Sequence, residues 1–226
     1  MRWNEHEHPR HPAKAPGSQG GRFREAWVGS LSQRLETPGE RLRAGQRAVE
    51  SLFGVDLPEP IESHKPGAAA EVDLHSGEIR YNPAEERRLL RYRELGMSLG
   101  GRLSYEHDVW IEAGAHEAAH SLAHHHLTIE QQVEALRRGA SAAGLPEVPA
   151  DERMAGTYSW STRVEMESSP DFRQGTGQLA HHLSGYASYS NFETFAEALT
   201  EYALSDDPRP FAQAVGDYVA SVLEAR

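Results

Sequence analysis

A chain of 226 residues, 38% hydrophobic and 25% charged, is long enough for one domain with a sizeable core plus some unpacked polar sequence. Its formal charge of −11 lacks the basic footprint of a general nucleic-acid binder and favours a cationic substrate or partner. The absence of cysteine excludes disulfides, thiolate metal sites and a cysteine nucleophile, so any metal must sit on His, Asp or Glu.

Residues 1–22 hold Pro, Gly, His and charge with almost nothing to bury, and read as a flexible tail. His6, His8 and His11 lie close together there, but a solvated tail explains them without a metal. The tail's wording, with His8-Pro9-Arg10 followed by Gly20-Gly21-Arg22-Phe23, is similar to the termini of some phage head-associated proteins. It lacks the apolar core of a signal peptide, and no later stretch reaches the ~20 apolar residues of a membrane span. The chain therefore reads as soluble, with its location open between the cytoplasm and delivery by a non-classical route.

Residues 23–53 read as two helical segments broken around Thr37-Pro38-Gly39, the second running from Glu40 to a stop at Gly54. Leu42, Val49, Leu52 and Phe53 share one side of it, with Gly45 and Ala48 between them. The Pro-rich stretch 55–69 predicts an extended connector, completing a helical N-terminal segment over 23–69. From residue 70 to the end the pattern predicts the main domain. EVDL and EIRY flank His75-Ser76-Gly77 as a β-hairpin. Asn82-Pro83 then opens a helix to about Met97, closed by Gly100-Gly101.

A further helix is expected over Asp108 to His126, and Thr128 with Gln131 forms a capping box for the next, to about Arg138. Residues 140–180 carry many Gly, Ser and Pro without a steady period, which predicts loops. Helices over 191–204 and 208–224 complete an α+β, mostly helical plan with a small β element.

The chemistry is concentrated in His116-Glu117-Ala118-Ala119-His120, an HExxH sequence inside the predicted helix. Residues i and i+4 share a helical face, so both imidazoles can reach one Zn²⁺. Glu117 is placed to take a proton from a metal-activated water. The bland reading is two surface histidines, in a chain that holds 13. The surrounding Ala113, Ala115, Ala118, Ala119 and Ala123 instead leave room for close packing.

A catalytic zinc takes three protein ligands and one open position, and two candidates compete for the third ligand. His126 stands at the spacing of the metzincin signature HExxHxxGxxH, but Ala123 occupies the glycine position and favours continuing the helix. Glu193 belongs to Asn191-Phe-Glu-Thr-Phe-Ala-Glu-Ala-Leu, which also places Glu197 on the same helical face. Two carboxylates directed into an apolar layer are costly unless paired or metal-bound. One can bind the metal while the other receives the N–H of a ligand histidine.

Taken with HExxH, the run Leu183-Ser-Gly-Tyr186-Ala-Ser-Tyr-Ser-Asn-Phe-Glu193-Thr-Phe-Ala-Glu197-Ala-Leu resembles the anthrax toxin lethal factor-like zinc peptidase domain, a gluzincin. Pro210-Phe211 through Tyr218-Val219 is similar to that family's closing segment, and the resemblance covers roughly residues 78–226. Ala118-Ala119 departs from the aromatic or glycine that the family carries after HE. The resemblance implies a zincin-like catalytic domain with His116, His120 and Glu193 as zinc ligands and Glu117 as general base. It further implies Tyr186 as the hydroxyl that stabilises the tetrahedral intermediate and Glu197 as a carboxylate behind the ligands. Tyr189 is a rival to Tyr186, while His181 and His182 are expected to face solvent. The expected activity is hydrolysis of a protein or peptide substrate, favouring basic sequences. The competing expectation is a non-catalytic phage-associated or toxin-like module with a vestigial zinc site.

Overall fold

The computed structural model describes residues 37–73, 75–94, 108–154, 159–169, 171 and 175–226. The tail 1–22, the first predicted helix from Phe23 and the Met97–Gly101 helix end lie outside these residues. The first described helix, α1 (Pro38–Phe53), starts two residues earlier than Glu40. The Thr37 hydroxyl accepts from Glu40 N–H at 3.2 Å and the Glu40 carboxylate accepts from Thr37 N–H at 3.0 Å, a reciprocal capping box. At the other end Gly54 adopts φ 67° and stops the helix.

The connector is less featureless than its prolines suggest. It contains β1 (Ile61–Glu62), which pairs in parallel with β3 (Ile79–Tyr81). The hairpin partner of β3 is β2 (Ala70–Val72), antiparallel, with Glu71 opposite Arg80. The order among the described strands is β1-β3-β2, so β2 is an edge. The turn is held by the Asp73 carboxylate, which accepts from the N–H groups of His75 (2.9 Å) and Ser76 (3.2 Å). Those two bonds hold the Asp73 carboxyl below its ordinary pKa. Gly77, at φ 70°, closes it, and buried Ser121 donates to Gly77 O at 2.7 Å, fixing the hairpin to the central helix.

Asn82 caps a short 3₁₀ turn (Pro83–Glu85) that leads into α2 (Glu86–Glu94). The central helix α3 (Val109–His126) begins where the Asp108 carboxylate accepts from Trp110 N–H at 2.9 Å. Thr128 and Gln131 form the expected capping box of α4 (Ile129–Ala143), which runs five residues past Arg138 before Gly144 caps it. Its buried Leu136, Gly139 and Ala140 continue a 3.6-residue stripe. Gly139 ends nothing, because it sits against Phe211 and Val215 of the last helix.

The expectation of loops over 140–180 is corrected by two helices, α5 (Trp160–Ser168) and α6 (Gln178–His182). Neither has strong intrinsic propensity, and tertiary contacts make them. Trp160 and Val164 are buried, and the buried Glu165 carboxylate accepts from Gly177 N–H (2.6 Å) and Ala180 N–H (3.0 Å). The chain closes with α7 (Asn191–Leu204) and α8 (Pro210–Glu224). The described residues are thus mostly helical with one small sheet, an α+β arrangement. None of these helices is long and apolar enough to cross a membrane.

One core joins Leu42, Val49 and Phe53 of α1 to Leu122 of α3, Phe195 and Leu199 of α7, and Phe211 and Val215 of α8. Helix α3 is buried on most sides, and its alanines let neighbours approach closely. The tightest approach is to α1. A Cβ on Gly114 would meet the Leu42 carbonyl oxygen, and one on Gly45 would meet the Ile111 carbonyl oxygen. Because both obstacles are backbone, Gly114→Ala should lower stability by about 1–3 kcal/mol. At an unconstrained helical position the same change gains ~1 kcal/mol. Urea unfolding of Gly114→Ala reads the sign, and a stabilised variant would refute the close crossing.

Candidate metal centre

Helix α3 turns His116 and His120, one turn apart, toward Glu193 in the first turn of α7. The His116 and His120 Nε2 atoms are 3.2 Å apart, and Glu193 Oε2 lies 3.0 Å from the first and 3.3 Å from the second. Tetrahedral ligands at ~2.0–2.1 Å from Zn²⁺ would stand about 3.3–3.4 Å apart. The triangle is therefore nearly the size such an ion requires. These three form the metal-capable group of His, Asp and Glu found among the described residues.

The donor chemistry fits as well. His116 Nδ1 lies 2.8 Å from Glu197 Oε1. With Nδ1 donating into that bond, Nε2 is the nitrogen left for a cation between the three ligand atoms once its own proton is lost. The remaining Glu197 oxygen, Oε2, is buried without a hydrogen-bond partner, so this carboxylate is committed to His116. The group could hold a metal ion, with Glu197 orienting one ligand from behind.

Burial and pairing oppose each other in this group. Burial disfavours the charged form of Glu193, but hydrogen bonds from His116 and His120 outweigh it and hold the carboxyl well below the usual range. Burial likewise opposes protonation of His116, yet hydrogen bonds to Glu193 and Glu197 push its pKa well above that of free histidine. Glu117 faces the same cleft. Burial pushes its pKa up, and the nearby charges of His116 and His120 only partly offset this.

The site forms the floor of a cleft of ≈ 440 Å³, with Ala70–Val72 of β2, Leu89 and Phe192 on its walls. Tyr186 lines the cleft, and its ring centre stands 5.6 Å from that of His116. Tyr189 packs against Tyr186 at 5.3 Å but is 49% exposed and does not line the cleft. Between the two tyrosines, the structure brings Tyr186 to the metal-capable group.

His126 stays away. Helix α3 runs unbroken through Ala123 to His126, which lies six residues, or about 9 Å of helix rise, beyond His120. His181 is exposed, His182 is partly buried, and neither lines the cleft. Sequence reasoning missed Glu112, which lines the cleft one turn before His116. Its i−4 spacing from His116 was the available signal. It also missed that β2 is a cleft wall, since strand pairing order leaves no local trace.

Comparison with protein-family models, with curated proteins and with solved structures finds no match to this chain.

Two measurements test the centre. Elemental analysis after dialysis against zinc should give about one metal per chain in wild type and in His126→Ala. Glu193→Ala and His120→Ala should lose it, and Glu197→Gln should bind ~10–100-fold more weakly. Retention in Glu193→Ala with loss in His126→Ala would assign the third ligand to His126. The second measurement is proton release. Hydrogen bonds to Glu193 and Glu197 favour the protonated form of His116, and hydrogen bonds from the two histidines favour the ionised form of Glu193. Zinc binding near neutral pH should therefore release protons, and affinity should fall as the pH drops. Calorimetry in buffers of different ionisation enthalpy counts the protons, and a count of zero contradicts the assignment.

Proposed function

We propose that the protein is a zinc-dependent peptidase of the gluzincin kind, with a zincin-like catalytic domain. The observation that carries this reading is the convergence of His116 Nε2, His120 Nε2 and Glu193 Oε2 within 3.0–3.3 Å at the floor of an open cleft. A structural metal site is closed by four protein ligands, whereas a catalytic one keeps a position open. Three protein ligand atoms facing an open cleft match the second pattern.

The edge strand supports a peptide substrate. Asn82 N–H donates to Ala69 O at 2.7 Å and Asp73 N–H to Glu78 O at 2.9 Å, which puts odd-numbered residues of β2 in the ladder with β3. By alternation, the N–H and C=O groups of Ala70 and Val72 point to the outer edge. An extended peptide could pair there while its scissile bond lies over the metal-capable group. Outside the metal-capable group and Glu197, the cleft is lined by the carboxylates of Glu71, Glu112 and Glu117 against Arg88, which favours a substrate with basic residues.

A bound Zn²⁺ would supply a Lewis acid and lower the pKa of water at its open position. The chain supplies the proton transfers. Glu117 accepts the proton of the attacking water and passes it to the leaving amine, a role helped by the raised affinity for protons that burial gives it. The Tyr186 hydroxyl donates to the carbonyl oxygen as negative charge develops there. Glu197 holds the His116 ring in orientation at 2.8 Å.

Glu117→Gln should lower cleavage of a labelled casein by about 10²–10⁴-fold while leaving bound zinc unchanged by elemental analysis. Near-wild-type cleavage by this variant would remove Glu117 from the mechanism. A wild type that binds zinc and cleaves nothing across a broad peptide library would favour the vestigial, non-catalytic alternative.

A further inference from the structure

Tyr186 lies on a four-residue 3₁₀ turn, Tyr186–Tyr189, a short element with few hydrogen bonds of its own. Three side chains from other parts of the fold, and Ser188 from the turn itself, grip the carbonyls in and around it. Arg209 donates to Leu183 O at 2.6 Å, and its guanidinium is itself fixed by the fully buried Glu201 at 2.7 Å. Ser188 Oγ donates back to Gly185 O at 2.7 Å. Thr162 Oγ1 lies 3.3 Å from both Ser188 O and Tyr189 O. Thr194 Oγ1 donates to Ala187 O at 2.7 Å and also lies 3.0 Å from Ser190 O in its own helix.

Thr194 differs from the other three in what it connects. It is fully buried, it follows Glu193 directly in α7, and its hydroxyl reaches the residue after Tyr186. One short bond therefore ties the turn that carries the tyrosine directly to the helix that carries Glu193. We infer that Thr194 is a positioning residue that holds the Tyr186 turn in register with the Glu193-bearing helix. The inference rests on the reading that Tyr186 donates to the reacting carbonyl oxygen. A hydroxyl is needed at position 194 because the buried Ala187 carbonyl requires a donor. Threonine supplies it in a helix, where its Oγ1 is held near the backbone.

The test is Thr194→Val, which keeps the shape and removes the donor, beside the conservative Thr194→Ser. Thr194→Val should lower kcat on labelled casein about 10-fold with KM and zinc content near wild type, and Thr194→Ser should restore most of the rate. In a Tyr186→Phe background, Thr194→Val should cost less than about twofold, because its effect runs through the missing hydroxyl. An equal loss in both backgrounds would overturn the inference, as would loss of zinc from Thr194→Val, which would place its effect on Glu193. A readout without turnover separates this idea from the proposed reaction. With 3-fluorotyrosine incorporated, the Tyr186 fluorine line, assigned by its loss in Tyr186→Phe, should shift or split in Thr194→Val and not in Thr194→Ser. If wild type cleaves no peptide, the proposed reaction fails while this line still decides the positioning role. An unchanged line in Thr194→Val overturns it.

Discussion

A single imidazole, that of His116, is gripped from both of its nitrogens by two carboxylates one turn apart on a neighbouring helix. Glu193 meets Nε2 at 3.0 Å and Glu197 meets Nδ1 at 2.8 Å. This fixes α7 against α3 in rotation and in translation, since slipping α7 by one residue would turn the carboxylate pair out of line by ~100°. Such a cluster is a poor stabiliser for its own sake. Removing charged groups from water costs several kcal/mol per ion, and apolar residues of similar volume often serve stability as well or better. What the cluster achieves is three ligand atoms brought within 3.0–3.3 Å of one another.

The packing around that point follows from the need to bring it to the surface without loosening it. Helix α3 must be surrounded to be rigid, yet one stripe of it must open to the cleft. Small residues reconcile the two. Gly114 and Gly45 let the α1 and α3 backbones touch on one side, and Ala115, Ala118 and Ala119 are fully buried among the core helices. The remaining stripe carries Glu112, His116, Glu117 and His120 to the cleft. Ser121, bonded to Gly77 O at 2.7 Å, then hangs the hairpin on α3, and the hairpin gives the cleft its β2 wall.

Much of this was legible in the sequence because it is written in local patterns. The i, i+4 spacings of His116 with His120 and of Glu193 with Glu197 are helical geometry expressed as text. The capping boxes at Thr37 and Thr128, and the stop at Gly54, are signals of adjacent residues. What escaped was non-local. Helices α5 and α6 exist because Trp160 finds a core and because Glu165 accepts from Gly177 and Ala180. Strand β1 is two residues long and is defined only by its pairing with β3. The last turn of α4, beyond Arg138, passes through Gly139, a weak helix former that in space makes room for Phe211. The third-ligand question sat between these regimes. Ala123 argued locally against His126, whereas only the meeting of α3 and α7 brings Glu193 within 3.0 Å.

The supports of the three proposed working groups differ in kind. His116, Glu117 and His120 ride on one buried helix, so their mutual geometry is as fixed as a helix turn. Glu193 sits at the start of α7, where the Ser190 hydroxyl accepts from its backbone N–H at 3.2 Å, and its helix is locked by the carboxylate pair. Tyr186 alone stands on a turn too short to hold itself. A metal site tolerates little displacement of its ligands, and a hydrogen bond to a developing charge tolerates hardly more. A turn that only had to cover the cleft would need no more than apolar contact. The buried donors that Thr162 and Thr194 direct at its carbonyls, with Arg209 on Leu183 O just before it, supply a different quality, a defined position of the tyrosine relative to the ligands. Their convergence on the one weakly structured element of the site favours a reacting role for Tyr186 over a packing role.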